Sequence, residues 1–279
     1  MSATTERHRA AQAARRYKGL PVRVALRIVG TLRPRFQQID LAGGRRSLFF
    51  ELHEVAPVPV ASMADPAGGQ SGYADRELAR LVAPEPGYDL TIAVIDAPLH
   101  EGYYLRRLSG NRVVVSTHEV APLLIEKGYS LRSFVRRNVY QAVVGYIWHG
   151  GRLPSTRRVR LAHVPTRGCL YDWNDTREDI LHSLDQPTLC SACVERTRLS
   201  AVHYLLPQLS NELRQIRKPI LMRLGERFKE AVDRRPWLAI VAPLTVGIAL
   251  NMLASWLYDG LKNSDLTELR GGASSGTKP

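Results

Sequence analysis

Cysteine is scarce in this chain: three residues in 279. So few, and an odd number, cannot build a disulfide framework, which excludes the small secreted class stapled by bridges and fits a reducing compartment. None of the eight histidines has another histidine four residues on, so the paired helical ligands of an HExxH zinc peptidase are missing. The first 18 residues are polar and arginine-rich, without the apolar run of a secretory signal. Acidic residues are short as well, 26 against 39 Lys and Arg, a net charge of +13. That excess calls for an anionic partner or surface, either nucleic acid or acidic lipid headgroups. The arginines are scattered, however, and no basic, aromatic-studded recognition helix stands out, so nucleic acid is not the expected partner.

What the chain does have is a globular balance, 44% hydrophobic and 23% charged residues, and one concentrated stretch of chemistry. All three cysteines fall between His163 and Cys193, two of them as the pair Cys190-Ser-Ala-Cys193. A CxxC turn presents two thiolates to one ion, and a tetrahedral zinc needs two more N or S donors. Cys169 and His163 are placed to close the set, with His182 as the competitor for the fourth position. Three unrelated buried thiols are the bland alternative, since cysteine is also a small hydrophobe.

In chain order, residues 1–18 form a basic arm. Two early strands are expected within 20–32 and 47–55, where apolar residues recur at strand spacing. Residues 56–73 are rich in Pro, Gly, Ala and Ser and read as a loop, and 75–82 as a short helix ended by prolines. Residues 89–95 form a nearly unbroken apolar run suited to the centre of a sheet, and 112–116 a further strand. Ser130 then caps a long helix with one buried face, stopped by Gly150-Gly151. The arginine pairs at 106–107, 136–137 and 157–158 read as exposed faces or headgroup contacts. Asp172, Asp175, Glu178 and Asp179 read as a solvated helix N-terminus favoured by the macrodipole. Residues 200–236 read as a cationic helical connector broken near Pro207 and Pro219.

The 22 residues 237–258 carry no charge. As a helix they would run about 33 Å, enough to cross a bilayer core, with Trp237, Trp256 and Tyr258 at the ends where amphipathic rings prefer the interface. Eight Lys or Arg against three acids lie between Arg214 and Arg235, so the positive-inside tendency keeps the bulk of the protein on the cytoplasmic face, anchored by this helix. A helix lying in the membrane plane, or a buried core helix in a soluble cytoplasmic protein, is the alternative. Residues 259–279 read as a flexible tail.

The order of elements, strand Leu90-Thr-Ile-Ala-Val-Ile-Asp96, strand Arg112-Val-Val-Val-Ser-Thr117, long helix, His-x5-Cys and CxxC, resembles the archaemetzincins, a metzincin-type family of zinc peptidases. The likeness spans roughly residues 88–196. The family signature, HExxHxxGxxHC followed by a Cys, a Met and a CxxC, implies a catalytic zinc on three His and a structural zinc on four Cys. His163 matches the third His, Val164 replaces the first Cys, Cys169 matches the second, Tyr171 stands at the Met, and Cys190 and Cys193 match the final pair with one extra residue of spacing. The helix that should carry HExxH reads Tyr140-Gln-Ala-Val-Val-Gly-Tyr-Ile-Trp-His149. His53-Glu54 and His118-Glu119 both continue Val-Ala-Pro, and that proline opposes the helix the motif needs.

The resemblance therefore implies an α/β (α+β) fold, a metzincin-like mixed twisted sheet with helices, over 19–199. It also implies a lost catalytic ion and a structural site whose missing thiolate is replaced by His163. The expected function is a non-catalytic, membrane-tethered zinc domain with a binding or scaffolding role. The alternatives are an active metallopeptidase on atypical ligands, such as His149, His163 and Asp172, and a nucleic-acid-binding zinc module. A redox role for the CxxC is weaker, because no strand-to-helix thioredoxin context precedes Cys190.

Overall fold

A run that is apolar on both faces must be covered on both, and Leu90–Ile95, buried at every position, lies at the centre of a five-stranded sheet. The computed structural model describes residues 19–217 apart from 45, 60–71, 164–167, 175 and 201, together with 244, 247, 248 and 250–256. The expected arm at 1–18, most of the loop at 56–73, most of the helix at 237–258 and the tail at 259–279 lie outside the described residues. The chain divides into two compact units, Met1–Lys218 and Pro219–Pro279.

In the first unit the strands are β1 (Val22–Val29), β2 (Phe50–Glu54), β3 (Leu90–Ile95), β4 (Leu105–Leu108) and β5 (Arg112–Ser116), and the helices are α1 (Asp75–Leu81), α2 (Val120–Glu126), α3 (Leu131–Trp148), α4 (Asp179–Asp185), α5 (Ser191–Arg198) and α6 (Leu206–Arg214). The sheet order is β2-β1-β3-β5-β4. β1, β2, β3 and β5 run parallel, and the edge strand β4 is antiparallel to β5. The expected mixed sheet with helices is thus the observed architecture.

Alternate residues of β3 point to opposite faces, and the core follows that period. Ile92 and Val94 pack with Val24, Leu26, Val113 and Val115 under α3, whereas Ala93 and Ile95 pack with Val114 and the α1 residue Leu78 on the other side. Ser130 Oγ accepts from Ser133 N at 3.4 Å, capping α3. Gly150 (φ +63°) and Gly151 (φ +85°) end it in the left-handed region where glycine is unstrained, as the sequence predicts.

Three expectations change. Arg106, Arg107 and Arg137 are buried rather than exposed, because their heads meet carbonyls and side-chain oxygens while their stems pack. Pro122 does not prevent a helix: α2 begins at Val120 and takes the proline in its first turn, where an absent N–H removes no intrahelical bond. His118-Glu119 therefore precede that helix and His53-Glu54 sit on β2, so neither forms an HExxH face. Lastly, the packed domain runs past residue 199. Val202, Leu209, Leu213 and Ile216 join the main core. Glu212 on α6 accepts from Tyr140 Oη (2.6 Å), Ser47 Oγ (2.6 Å) and the Leu48 amide (2.8 Å). The aromatic hydroxyl of Tyr140 is held protonated by burial and then by that bond.

Among the described residues no helix is long and apolar enough to cross a membrane.

Candidate metal centre

Three short segments are brought side by side by single-rung β-bridges. His163 pairs with Asp172 through His163 N to Tyr171 O (3.0 Å) and Trp173 N to His163 O (2.9 Å). Cys169 pairs with Thr188 through Leu170 N to Thr188 O and Thr188 N to Gly168 O, both 2.9 Å. The second bridge delivers the chain to Cys190, the N-cap of α5, and one turn further on to Cys193. Gly168 makes this approach possible: its φ is +114°, and a Cβ there would stand 2.5 Å from the Gln186 carbonyl oxygen.

The four sequence-predicted donors, His163, Cys169, Cys190 and Cys193, converge with their ligand atoms all within 4.8 Å of one another. His163 Nε2 lies 3.3 Å from Cys193 Sγ and 3.5 Å from the Sγ of both Cys169 and Cys190. Cys169 and Cys193 sulfurs are 3.7 Å apart. A regular tetrahedron with Zn–S near 2.3 Å and Zn–N near 2.05 Å has edges of about 3.8 Å (S to S) and about 3.5 Å (N to S). The donor set and these edges fit an ion of that size, so the cluster could hold a metal with no ligand missing.

The electrostatics agree. Cys169, buried, accepts from the Cys193 thiol and then from backbone amides including Cys190 N (3.4 Å), which brings its pKa down to about 5 despite burial. The same contact and burial push Cys193 far up. Two sulfurs this close hold one proton between them, and a dication is what lets both ionise. The N-terminus of α5 adds positive potential at both cysteines of the pair.

Asp172 stands behind the histidine, with Oδ1 3.8 Å from His163 Nδ1 and Oδ2 accepting the amides of Gly168 (2.8 Å) and Cys169 (3.0 Å). It is a buried outer support of the kind that fixes a ligating imidazole, not part of a solvated helix end as the sequence reading had it. Asp175 lies outside the described residues. His182 is exposed on α4 and stands apart from the cluster. His149 is also elsewhere: its Nδ1 is 2.7 Å from Gly145 O, and its Nε2 faces Arg196 at 3.3 Å. The alternative constellation of His149, His163 and Asp172 is therefore not assembled.

No family model and no curated protein sequence matches the chain. Two solved structures are similar to it. One is archaemetzincin from Methanopyrus kandleri, at 16% identity and a TM-score of 0.42, covering 65% of this chain and 97% of that one. The other is archaemetzincin from Archaeoglobus fulgidus in complex with malonate, at 13% identity and a TM-score of 0.38, covering 63% and 99%. At such scores the chain's own residues have to carry the reading of its chemistry.

Tyr171, fully buried beside the cluster, stacks on Trp148 with ring centroids 4.5 Å apart and donates to Gln141 O at 2.8 Å. Trp148 Nε1 in turn donates to Thr197 on α5 at 3.2 Å. Burial keeps the Tyr171 hydroxyl protonated. Next to the cluster, sharing Asp172 as a wall, is a cavity of about 700 Å³ between β4, α3 and the 156–162 segment. Sequence reasoning missed this cavity, because its lining arginines looked like surface and β4 showed no strand period.

Proposed function

We propose that this chain is a non-catalytic, archaemetzincin-like domain whose Cys3His cluster binds a structural zinc, and that its role is binding or scaffolding. The observation that carries the reading is closure. Four protein donors surround one point at zinc-like spacing, leaving no position for the water that a hydrolytic zinc must activate. Zinc is preferred because three thiolates and an imidazole in a tetrahedron suit it better than a hard, oxygen-seeking ion. Resident there, it supplies folding stability and no reaction step.

The long helix supports the absence of a second, catalytic ion. Gln141 on the cavity wall and Gly145 one turn on offer no imidazole, and Ala142 offers no general base. A Cβ at Gly145 would stand 3.1 Å from Leu153, 3.2 Å from Leu161 and 3.4 Å from the Tyr171 hydroxyl, so a larger side chain there would have to displace these neighbours. Metal analysis of the purified protein beside His163→Ala and Cys190→Ala tests the proposal. One equivalent of zinc in the wild type, its loss in both variants and no peptide cleavage are expected. Two equivalents, or chelator-sensitive cleavage, would instead establish the active-peptidase alternative.

We further propose that the second unit tethers the protein to the cytoplasmic face of a membrane. Its described residues 244, 247, 248 and 250–256 are helical and exposed, among them the large apolar side chains Leu244, Ile248, Leu250, Met252, Leu253 and Trp256, four of which fall at four-residue spacing. An apolar stripe at that spacing, next to a cationic stretch, suits an anionic lipid surface. Full-length protein is expected to float with phosphatidylserine vesicles, and the double variant Ile248→Asp, Met252→Asp is expected to stay behind. Flotation unchanged in the variant rejects the tether.

A further inference from the structure

The cavity beside the metal cluster carries a charge imbalance that the zinc reading leaves unused. Arg137 on α3 is completely buried, and its guanidinium is shared among five neutral acceptors: Ser183 Oγ (3.1 Å), Tyr104 Oη (3.3 Å), Asn138 Oδ1 (3.0 Å), Gln141 Oε1 (2.6 Å) and Leu170 O (2.8 Å). Among the described residues no carboxylate balances it. A buried cation satisfied only by dipoles is costly unless a counter-charge lies nearby. Two of its acceptors, Tyr104 and Gln141, are themselves cavity wall. The positive end of this network is one side chain away from the empty space.

The wall adds charge of the same sign. Arg106, Arg107, Arg157, Arg160 and Arg177 line the cavity together with Glu101 and Asp172, and Asp75 and Glu119 just outside it offset part of that positive charge. Glu101 is engaged by Arg106 at 2.8 Å, Asp172 by the loop amides, Asp75 by Arg157 (2.9 Å) and Arg106 (3.5 Å), and Glu119 by Arg177. Arg160 lies over Trp173, 4.8 Å from the ring centroid, and makes no ion pair among the described residues. Arginine forks match the oxygens of phosphate and carboxylate, and a low-dielectric wall strengthens that attraction.

The shape limits what can enter. A free sheet edge could take an extended peptide by strand addition. Here the edge of β4 is closed by the protein itself: Arg107 N donates to Thr156 Oγ1 and Thr156 N to Arg107 O, both at 2.9 Å. The Arg107 side chain ties the same segment down through Pro154 O (3.0 Å) and Val159 O (2.5 Å). With the β4 edge already bonded at Arg107, the cavity favours a compact ligand over an extended chain.

We propose that this cavity is a binding site for a small polyanion, a phosphate ester or a polycarboxylate, gripped by Arg160 at the rim, with Arg157 shared between the ligand and Asp75, and balancing the charge of Arg137 behind Gln141. The site does not depend on the identity of the metal.

The test is calorimetric titration of full-length, metal-loaded protein with inorganic pyrophosphate and, separately, citrate, at low and physiological salt. Saturable binding of at least one probe at one site per chain is expected. Tighter binding of pyrophosphate identifies the phosphate class and tighter binding of citrate the carboxylate class. The double variant Arg157→Ala, Arg160→Ala is expected to weaken it by about tenfold or more. Gln141→Glu supplies an internal counter-charge to Arg137 in place of the ligand, so it is expected to weaken binding similarly while leaving the protein folded and more heat-stable. No saturable binding of either probe to millimolar concentration, or equal affinity in both variants, overturns the proposal. Metal content is read on the same samples: loss of zinc in the wild type would sink the preceding reading and leave this one standing.

Discussion

Removing the ion from the four-donor cluster is expected to lower the melting temperature of the protein by about 8–16 °C. The donors are already within 4.8 Å of one another, and the two bridges and the α5 N-terminus hold them there, so the folded chain is preorganised for the ion and the unfolded chain is not. A ligand that binds only the native state stabilises it by about 4 kcal/mol when present at about a thousand times its dissociation constant. A domain of this size shifts by about 2–4 °C for each kcal/mol, which gives the stated range. The assay is a thermal melt with and without a strong chelator, following released zinc with a colorimetric indicator. Cys193→Ala supplies the control. It removes one nearly buried thiol, about 1 kcal/mol of packing, and should melt within a few degrees of chelated wild type with no further response to chelator. Zinc release that leaves the wild-type melt unmoved, or a full chelator response in Cys193→Ala, would refute the assignment of the cluster as a staple.

Gly168→Ala should cost about 2–3 kcal/mol in urea unfolding and weaken zinc retention, because φ +114° and the Gln186 carbonyl at 2.5 Å both oppose a side chain. Arg137→Leu should cost about 3 kcal/mol by leaving buried acceptors unmet, and Arg137→Lys should recover little, since an ammonium cannot reproduce the fork; equal stability of Lys and wild type would contradict this. Tyr140→Phe should lose about 1 kcal/mol through its missing bond to Glu212, and Tyr140→Phe with Glu212→Gln should lose less than the two single effects summed. Alkaline stability follows from the tyrosines. Burial raises Tyr146 from 10.0 to about 12, and raises Tyr140 and Tyr171 further. The unfolded chain thus gives up these protons first, and the stability they contribute is complete below pH 10 and is lost as pH rises through 12. Unfolding free energy should fall over that window, and Tyr146→Phe should flatten part of the fall; a flat profile in the wild type would count against it.

The fold was legible where one physical rule acts alone. The apolar run of β3 had no reading other than a buried strand, and the Ser130 cap with the Gly150-Gly151 stop bounded α3 from both ends. The convergence of His163, Cys169, Cys190 and Cys193 was legible too, because a CxxC with a nearby His and Cys is the spacing that a tetrahedral ion would demand. β4 escaped because Leu105-Arg-Arg-Leu108 has no strand alternation, and its arginines are buried by carbonyls contributed from residues 100, 154 and 159, which no local window contains. Asp172 was misread for the same reason: its partners are loop amides and the far nitrogen of His163. The domain's extension through α6 rests on Glu212 reaching Ser47 and Leu48, a contact spanning 165 residues for Ser47. Composition alone could not separate such a residue from the exposed acids of a connector.

Every donor of the proposed metal site follows the sheet in the chain. His163 follows the whole sheet and α3, and Cys193 follows His163 by 30 residues. During synthesis the strands and the long helix can collapse before a single one of these side chains has been made, so an ion bound there would close the structure from the rear and be captured last. A nascent chain starved of zinc should halt with its front half built, leaving Trp148 without its cover and α5 and α6 undocked, the state in which cellular proteases would find it.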